Sequence, residues 1–145
     1  MKKDNNYNLL ALSFKQGFIS PNLPIVTFHQ GEKEINFIID TGSDENIINK
    51  ESLKDLSYKM LEVAEEDKRS LNGLGGCQET EQCSISFGSD DGKYSETFLV
   101  ADLAGPFESI RKQHCMVLHG MLGSNFLRRN NMTLDFKNLV VYNKE

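Results

Sequence analysis

Phe37-Ile38-Ile39-Asp40-Thr41-Gly42-Ser43-Asp44-Glu45-Asn46-Ile47-Ile48 is the stretch on which the reading of this chain turns. Three apolar residues, two of them β-branched, carry a strand out of the core to Asp40, and Gly42 lets the backbone turn closely around the carboxylate. Thr41 adds a hydroxyl able to bond to a neighbouring segment. A carboxylate delivered in this way is held rigidly and partly withdrawn from water. An aspartate ahead of a glycine turn also serves, in many proteins, only to make the turn. The tripeptide Asp40-Thr41-Gly42 therefore takes its meaning from what surrounds it.

Upstream, Leu23 to His29 and Glu34 to Asp40 are apolar-rich segments separated by His29-Gln30-Gly31-Glu32-Lys33. That loop chemistry predicts an antiparallel hairpin whose second strand runs into Asp40. Downstream, the spacing of Leu53, Leu56 and Met60 predicts a short helix over Asn49 to Met60, with Asn49 as its cap. Ala64 to Ser70 reads as a charged connector. Leu71-Asn72-Gly73-Leu74-Gly75-Gly76, dense in glycine, reads as a flexible tip. Gln82 to Phe87 and Tyr94 to Ala101 are two more strands. Gly88-Ser89-Asp90-Asp91-Gly92 between them is a turn, since it lacks the ligand spacing of a calcium loop.

Leu103 to His114 shows little periodicity and contains Gly105-Pro106, which predicts a loop. Val117-Leu118 and Met121-Leu122-Gly123 follow, then a short helix from about Ser124 to Asn130. Two last strands, Met132 to Phe136 and Leu139 to Tyr142, meet at Lys137-Asn138. With no regular alternation of strand and crossover helix, a parallel sheet is not indicated, and the many short strands predict an all-β, barrel-like domain. A length of 145 residues suits one domain from Met1 to Glu145, its core spanning about Leu23 to Phe136. Tyr7 to Phe14 and Leu139 to Tyr142 are its terminal strands.

Composition narrows the function. Apolar residues make up 39% and charged residues 26%, the balance of a folding chain rather than a disordered one. The net charge of -5, with no basic run longer than pairs such as Arg128-Arg129, argues against nucleic acid or anionic lipid as partner. Cys77, Cys83 and Cys115 are odd in number, form no Cys-x-x-Cys pair and have no histidine at metal spacing, so neither a disulfide framework nor a metal site is expected. Reduced thiols fit a cytoplasmic location. Lys2-Lys3 and the apolar stretch after it, short, polar-interrupted and without a small-x-small cleavage site, give export only weak support. Nothing in the chain approaches the roughly 20 apolar residues that span a bilayer.

Three landmarks, taken in order, resemble the retropepsin-like aspartic proteases. The apolar residues, Asp40-Thr41-Gly42, Ser43, the acidic Asp44 and the aliphatic Ile47-Ile48 resemble the family's active-site signature. Gly73-Leu74-Gly75-Gly76 is similar to its glycine-rich flap tip, and Met121-Leu122-Gly123-Ser124-Asn125-Phe126-Leu127 through Thr133-Leu134-Asp135-Phe136 to its C-terminal helix and strand. The resemblance implies a closed acid-protease barrel with a flap hairpin and one or two short helices. It makes Asp40 the catalytic aspartate, Thr41 the residue that bonds across a dimer axis, and Gly42 a lining of the substrate channel. Ser43, Asp44, Ile47, Ile48, Gly73, Leu74, Gly75, Gly76 and Leu122 become substrate-binding positions. Asn125 matches the element packed beneath the active-site loop.

The chain departs from the retroviral pattern in two places. Ser124 stands where those members carry an arginine that pairs with the residue at the position of Asp44. Ser43 replaces a common alanine, and a hydroxyl there that donated to Asp40 would favour its ionised form and draw the activity optimum toward acid.

Peptide hydrolysis by aspartates needs two carboxyls sharing one proton. The sequence holds no second Asp-Thr-Gly or Asp-Ser-Gly and no internal repeat. Two copies of the chain are therefore expected, a homodimer cleaving peptide or protein substrates without any cofactor, its contact made in part by the terminal strands. The alternative is a non-catalytic retropepsin-like module that dimerises or grips extended peptides. Phosphoryl transfer through Asp40 is disfavoured, because Gly42 occupies the position where such motifs commonly place a second aspartate.

Overall fold

The computed structural model describes residues 11–67, 70–73, 76–89 and 92–143. In chain order the elements are β1 (Ala11–Ser13), α1 (Lys15–Ile19), β2 (Ile25–Gln30), β3 (Lys33–Ile39), β4 (Asn46–Asn49), a 3-10 helix (Lys50–Asp55), β5 (Lys59–Leu61) and a 3-10 turn (Glu65–Asp67). They continue with β6 (Ser70–Gly73), β7 (Gly76–Glu79), β8 (Glu81–Ser89), β9 (Gly92–Ala101), α2 (Ala104–His114), β10 (Gly120–Leu122), α3 (Ser124–Arg129), β11 (Met132–Asp135) and β12 (Val140–Asn143).

The expected hairpin is present: β2 and β3 pair from Ile25↔Ile38 to Gln30↔Lys33, closed by Gly31 and Glu32. Gly31 adopts φ 63, a left-handed conformation that glycine enters without steric cost. The main sheet runs β2-β3-β10-β4-β9-β8-β5 and closes on itself where β2 meets β8 at His29↔Gly88. Only one residue pair makes that seam, and the Gln30 side chain reinforces it. Its Nε2 donates to the carbonyls of Ser57 and Ser86, and its Oε1 accepts from the Ser57 amide.

Inside the barrel, Phe28, Phe37, Phe87, Phe98 and Phe126 interlock with Tyr94 at ring separations of 4.8 to 6.2 Å. Each buried phenylalanine of this kind contributes on the order of 2–3 kcal/mol of transfer free energy.

Several expectations are corrected. The sheet is not purely antiparallel: β3 runs parallel to β10, and β4 parallel to β9. These pairings let two chain segments cross next to the end of β3. Asn49 to Met60 is not one α-helix. Its 3-10 turn ends at Asp55, Leu56 is extended, and Met60 lies in β5. The three-residue spacing of Leu53 and Leu56 suits a 3-10 turn as well as an α-helix. Asn49 makes no capping bond there, because its Oδ1 accepts from the Leu103 amide instead.

Residues 104–114 are an α-helix rather than a loop. Pro106 falls in the first turn, where a missing N–H costs nothing because that amide has no partner within the helix. Leu103, Phe107 and Ile110 recur at helical spacing and pack with Ile25, Leu118, Ile38 and Met121 into a second apolar cluster.

The terminal sheet has the order β1-β12-β11. β12 was expected to offer contact material to a second subunit, yet both its edges are used within the chain, by β1 and β11. Of the expected terminal strand from Tyr7 to Phe14, β1 and Phe14 are described and the rest lies outside the described residues.

Candidate active site

Asp40 leaves β3 beside the parallel strand β10, and its amide donates to the Leu122 carbonyl at 2.9 Å. The chain then turns sharply. Gly42 N donates to Asp40 Oδ1 at 2.9 Å, and Ser43 N donates to the Asp40 carbonyl at 3.2 Å. One carboxylate oxygen is thus fixed by the backbone of its own turn. A Cβ on Gly42 would lie 3.2 Å from that oxygen, tighter than ordinary packing. Asp40 is half-buried, while Thr41 and Gly42 are exposed.

The turn rests on the junction between β10 and α3. Ser124 N donates to Ser43 O at 2.7 Å and Asn125 N to Asp44 O at 3.2 Å. Two helix-start amides that would otherwise lack partners are satisfied by the Asp40 turn. Gly123 is the point of closest approach: a Cβ there would sit 2.5 Å from Glu45 O and 2.8 Å from Ser43 O. Behind it Asn46, 4% exposed, accepts from Gly123 N at 3.0 Å.

The predicted site residues divide into groups. Asp40, Thr41, Gly42, Ser43 and Asp44 form one turn against β10 and α3, with Asn125 beneath it. The Ser43 hydroxyl donates to Glu45 O at 2.8 Å, so it stabilises the turn and does not donate to Asp40. Ile48 and Leu122, expected to line substrate pockets, are 0% and 1% exposed and belong to the barrel core. The strand period of two accounts for this. Register places Gly120, Leu122, Ile48, Phe37 and Ile39 on the inner face and Met121, Ile47 and Ile38 on the other.

Continuing that alternation puts the Asp40 side chain on the face of Ile38, Ile47 and Met121. Ile38 and Met121 were not singled out in the sequence. The signal was available, because Ile38 stands two residues before Asp40 and so shares its face.

Gly73 and Gly76 are paired with each other and close the β6–β7 hairpin, a separate two-stranded sheet. The strands reach further toward the tip than the glycine content suggested, with Leu71, Asn72 and Gly73 all in β6. Leu74 and Gly75 lie outside the described residues, as does the centre of the turn at Asp90 and Asp91. Among the described residues no group of three or more His, Cys, Asp or Glu side chains could hold a metal ion. Likewise, no helix among them is long and apolar enough to cross a membrane.

The fold is similar to that of a solved retropepsin-like aspartic protease from Rickettsia conorii. It matches at a TM-score of 0.53 and 14% identity, over 93% of this chain and 90% of that one. The fold is retropepsin-like. The retroviral protease-like domain of Ddi1 from Leishmania major matches at a TM-score of 0.49 and 17% identity, over 82% of this chain and 91% of that domain. No family model matches the chain, and no curated protein does. Identity this low speaks for the retropepsin-like fold alone, so the chemistry is argued from the residues.

Proposed function

We propose that the chain is one subunit of a homodimeric aspartic endopeptidase, in which Asp40 and its symmetry mate share one proton across a two-fold axis. The observation that carries this is the state of Asp40. It is half-buried, with one oxygen pinned by the Gly42 amide, in a turn whose Thr41 and Gly42 face outward. The two carboxyls divide the work, one taking a proton from water while the other donates to the peptide carbonyl. The exposed Thr41 hydroxyl is free of its own subunit's core and suited to a bond across the axis.

The β6–β7 hairpin acts as the flap, and Gly73 and Gly76 bring its end over the substrate. A peptide lies extended between flap and aspartates, bonded through its backbone as an added strand. Ile38, Ile47 and Met121 share the face of Asp40, which favours apolar side chains next to the cut bond.

The test is incubation with a peptide library across pH, with Asp40→Asn as control. Wild type is expected to cut apolar peptides and Asp40→Asn to lose cleavage completely while keeping its oligomeric state. Peptide binding without turnover, equal in wild type and variant, would instead favour a binding module, a reading to which the serine at position 124 lends support. Magnesium-dependent turnover would point to phosphoryl transfer.

A further inference from the structure

Ser124 leaves open how the active-site turn is held where retroviral relatives use an arginine. The carboxylate of Asp44 is exposed, and no ion pair is formed by it among the described residues. A different set of contacts runs behind the turn. Asn46 opens β4 and is almost wholly buried. Its Oδ1 accepts from Gly123 N at 3.0 Å, and its Nδ2 donates to Thr97 O at 3.2 Å and to Glu96 Oε1 at 3.5 Å. Glu96 Oε1 in turn takes an ion pair from Arg129, in the last turn of α3.

The contacts form a closed circuit. From Gly123 at the start of α3 they pass through Asn46 on β4 to Glu96 on β9, and through Arg129 they return to the end of the same helix. Asn46, Glu96 and Arg129 of the circuit, together with Asp44, Glu45 and Asn125, line a polar cavity of about 280 Å³ beside the turn.

We infer that Asn46 is a positioning residue: backed by Glu96 and Arg129, it fixes the β10–α3 junction against which the Asp40 turn is seated. A buried amide side chain suits this task because it accepts from one backbone and donates to another at once, which neither an aliphatic residue nor a carboxylate can do. The kinetic consequence rests on the protease reading. The structural consequence does not.

The test therefore has two arms, run on the full chain as wild type, Asn46→Ala, Arg129→Ala and Arg129→Lys. In the first, amide hydrogen exchange is followed by NMR. The Gly123, Ser124 and Asn125 amides are expected to exchange at least about tenfold faster in Asn46→Ala while β8 and β9 keep their protection. Arg129→Ala, altered on the surface and so well able to fold, gives a smaller change in the same direction, which Arg129→Lys largely restores. Unchanged exchange at the junction overturns the inference. So does an acceleration spread evenly over the barrel, which would mean a general stability role.

In the second arm, kcat is expected to fall by about tenfold or more in Asn46→Ala with KM within about twofold. A loss confined to KM, or none, overturns the inference too. Absence of cleavage by wild type would remove the protease reading and leave the first arm to decide on Asn46.

Discussion

Gly123 lacks a side chain for want of room rather than for its backbone. Its φ of -92 and ψ of 179 are open to any residue, but an added methyl would be driven into the carbonyls of Glu45 and Ser43. Gly123→Ala is expected to cost about 2–3 kcal/mol, read from urea unfolding, because the atoms in the way are backbone. Gly105→Ala is its control. A Cβ there meets open space in the first turn of α2, so the substitution should be neutral or gain a few tenths of a kcal/mol.

The thiols offer a second residue-level check. Burial pushes the Cys83 thiol up to about 11, whereas Cys115 is exposed. Iodoacetamide at about pH 8 should label Cys115 on the native protein and leave Cys83 unmodified until denaturant is added, as peptide mapping would reveal. At this scale the sequence was informative about the turn at Asp40 and Gly42, which the neighbouring residues define and the Gly42 amide closes. It was misleading about Ile48, Leu122 and Ser43, because aliphatic character does not say which face of a strand a residue takes, and a hydroxyl has several acceptors in reach.

Among the elements, the hairpin into Asp40, the strand pair β8 and β9 and the helix α3 were legible because each is specified by neighbours in sequence: alternation, turn residues, a helical run. The parallel crossings of β3 with β10 and β4 with β9 were not, since β10 has three residues and is a strand only because β3 and β4 flank it. α2 was hidden by Gly105-Pro106, which disrupts a helix interior but not its first turn.

What fastens the connection from α2 to β10 is a set of contacts around His119. Its ring Nδ1 accepts from Asn36 N at 3.0 Å, its amide donates to Asn36 O, and its carbonyl accepts from Asn49 N. Accepting at Nδ1 requires the neutral ring with its proton on Nε2. Burial accordingly lowers the His119 pKa, with the nearby Asp55 carboxylate opposing. With its folded pKa depressed, this histidine binds its proton more readily in the unfolded chain, so the stability it contributes is complete above about pH 6.5 and declines as pH falls below that value. His119→Asn, which can keep an acceptor near the Asn36 amide, should flatten the fall in urea midpoint between about pH 7.5 and pH 5. An unaltered slope in the variant would assign the acid sensitivity to other groups.

For the molecule as a whole, the decisive quantity is the number of carboxylates at the site. Each chain brings one Asp-Thr-Gly, and among the described residues the terminal sheet has β12 at its centre with both edges paired, by β1 and β11. A meeting of two subunits would therefore not be made by inserting a strand beside β12, whose two edges are already paired. Whether activity requires that meeting can be read without locating the interface. If Asp40 works alone, adding inactive Asp40→Asn chains to a fixed amount of wild type changes nothing. If two aspartates must share a proton, each mixed dimer is dead, and an equal amount of the variant, after subunit exchange, should lower cleavage to about half, since only about a quarter of the dimers then carry two intact aspartates. Adding a threefold excess should lower it to about a quarter of the original rate. A cleavage rate that ignores the added variant, under conditions where labelled subunits are seen to exchange, would make Asp40 a single-chain catalyst and end the dimeric reading.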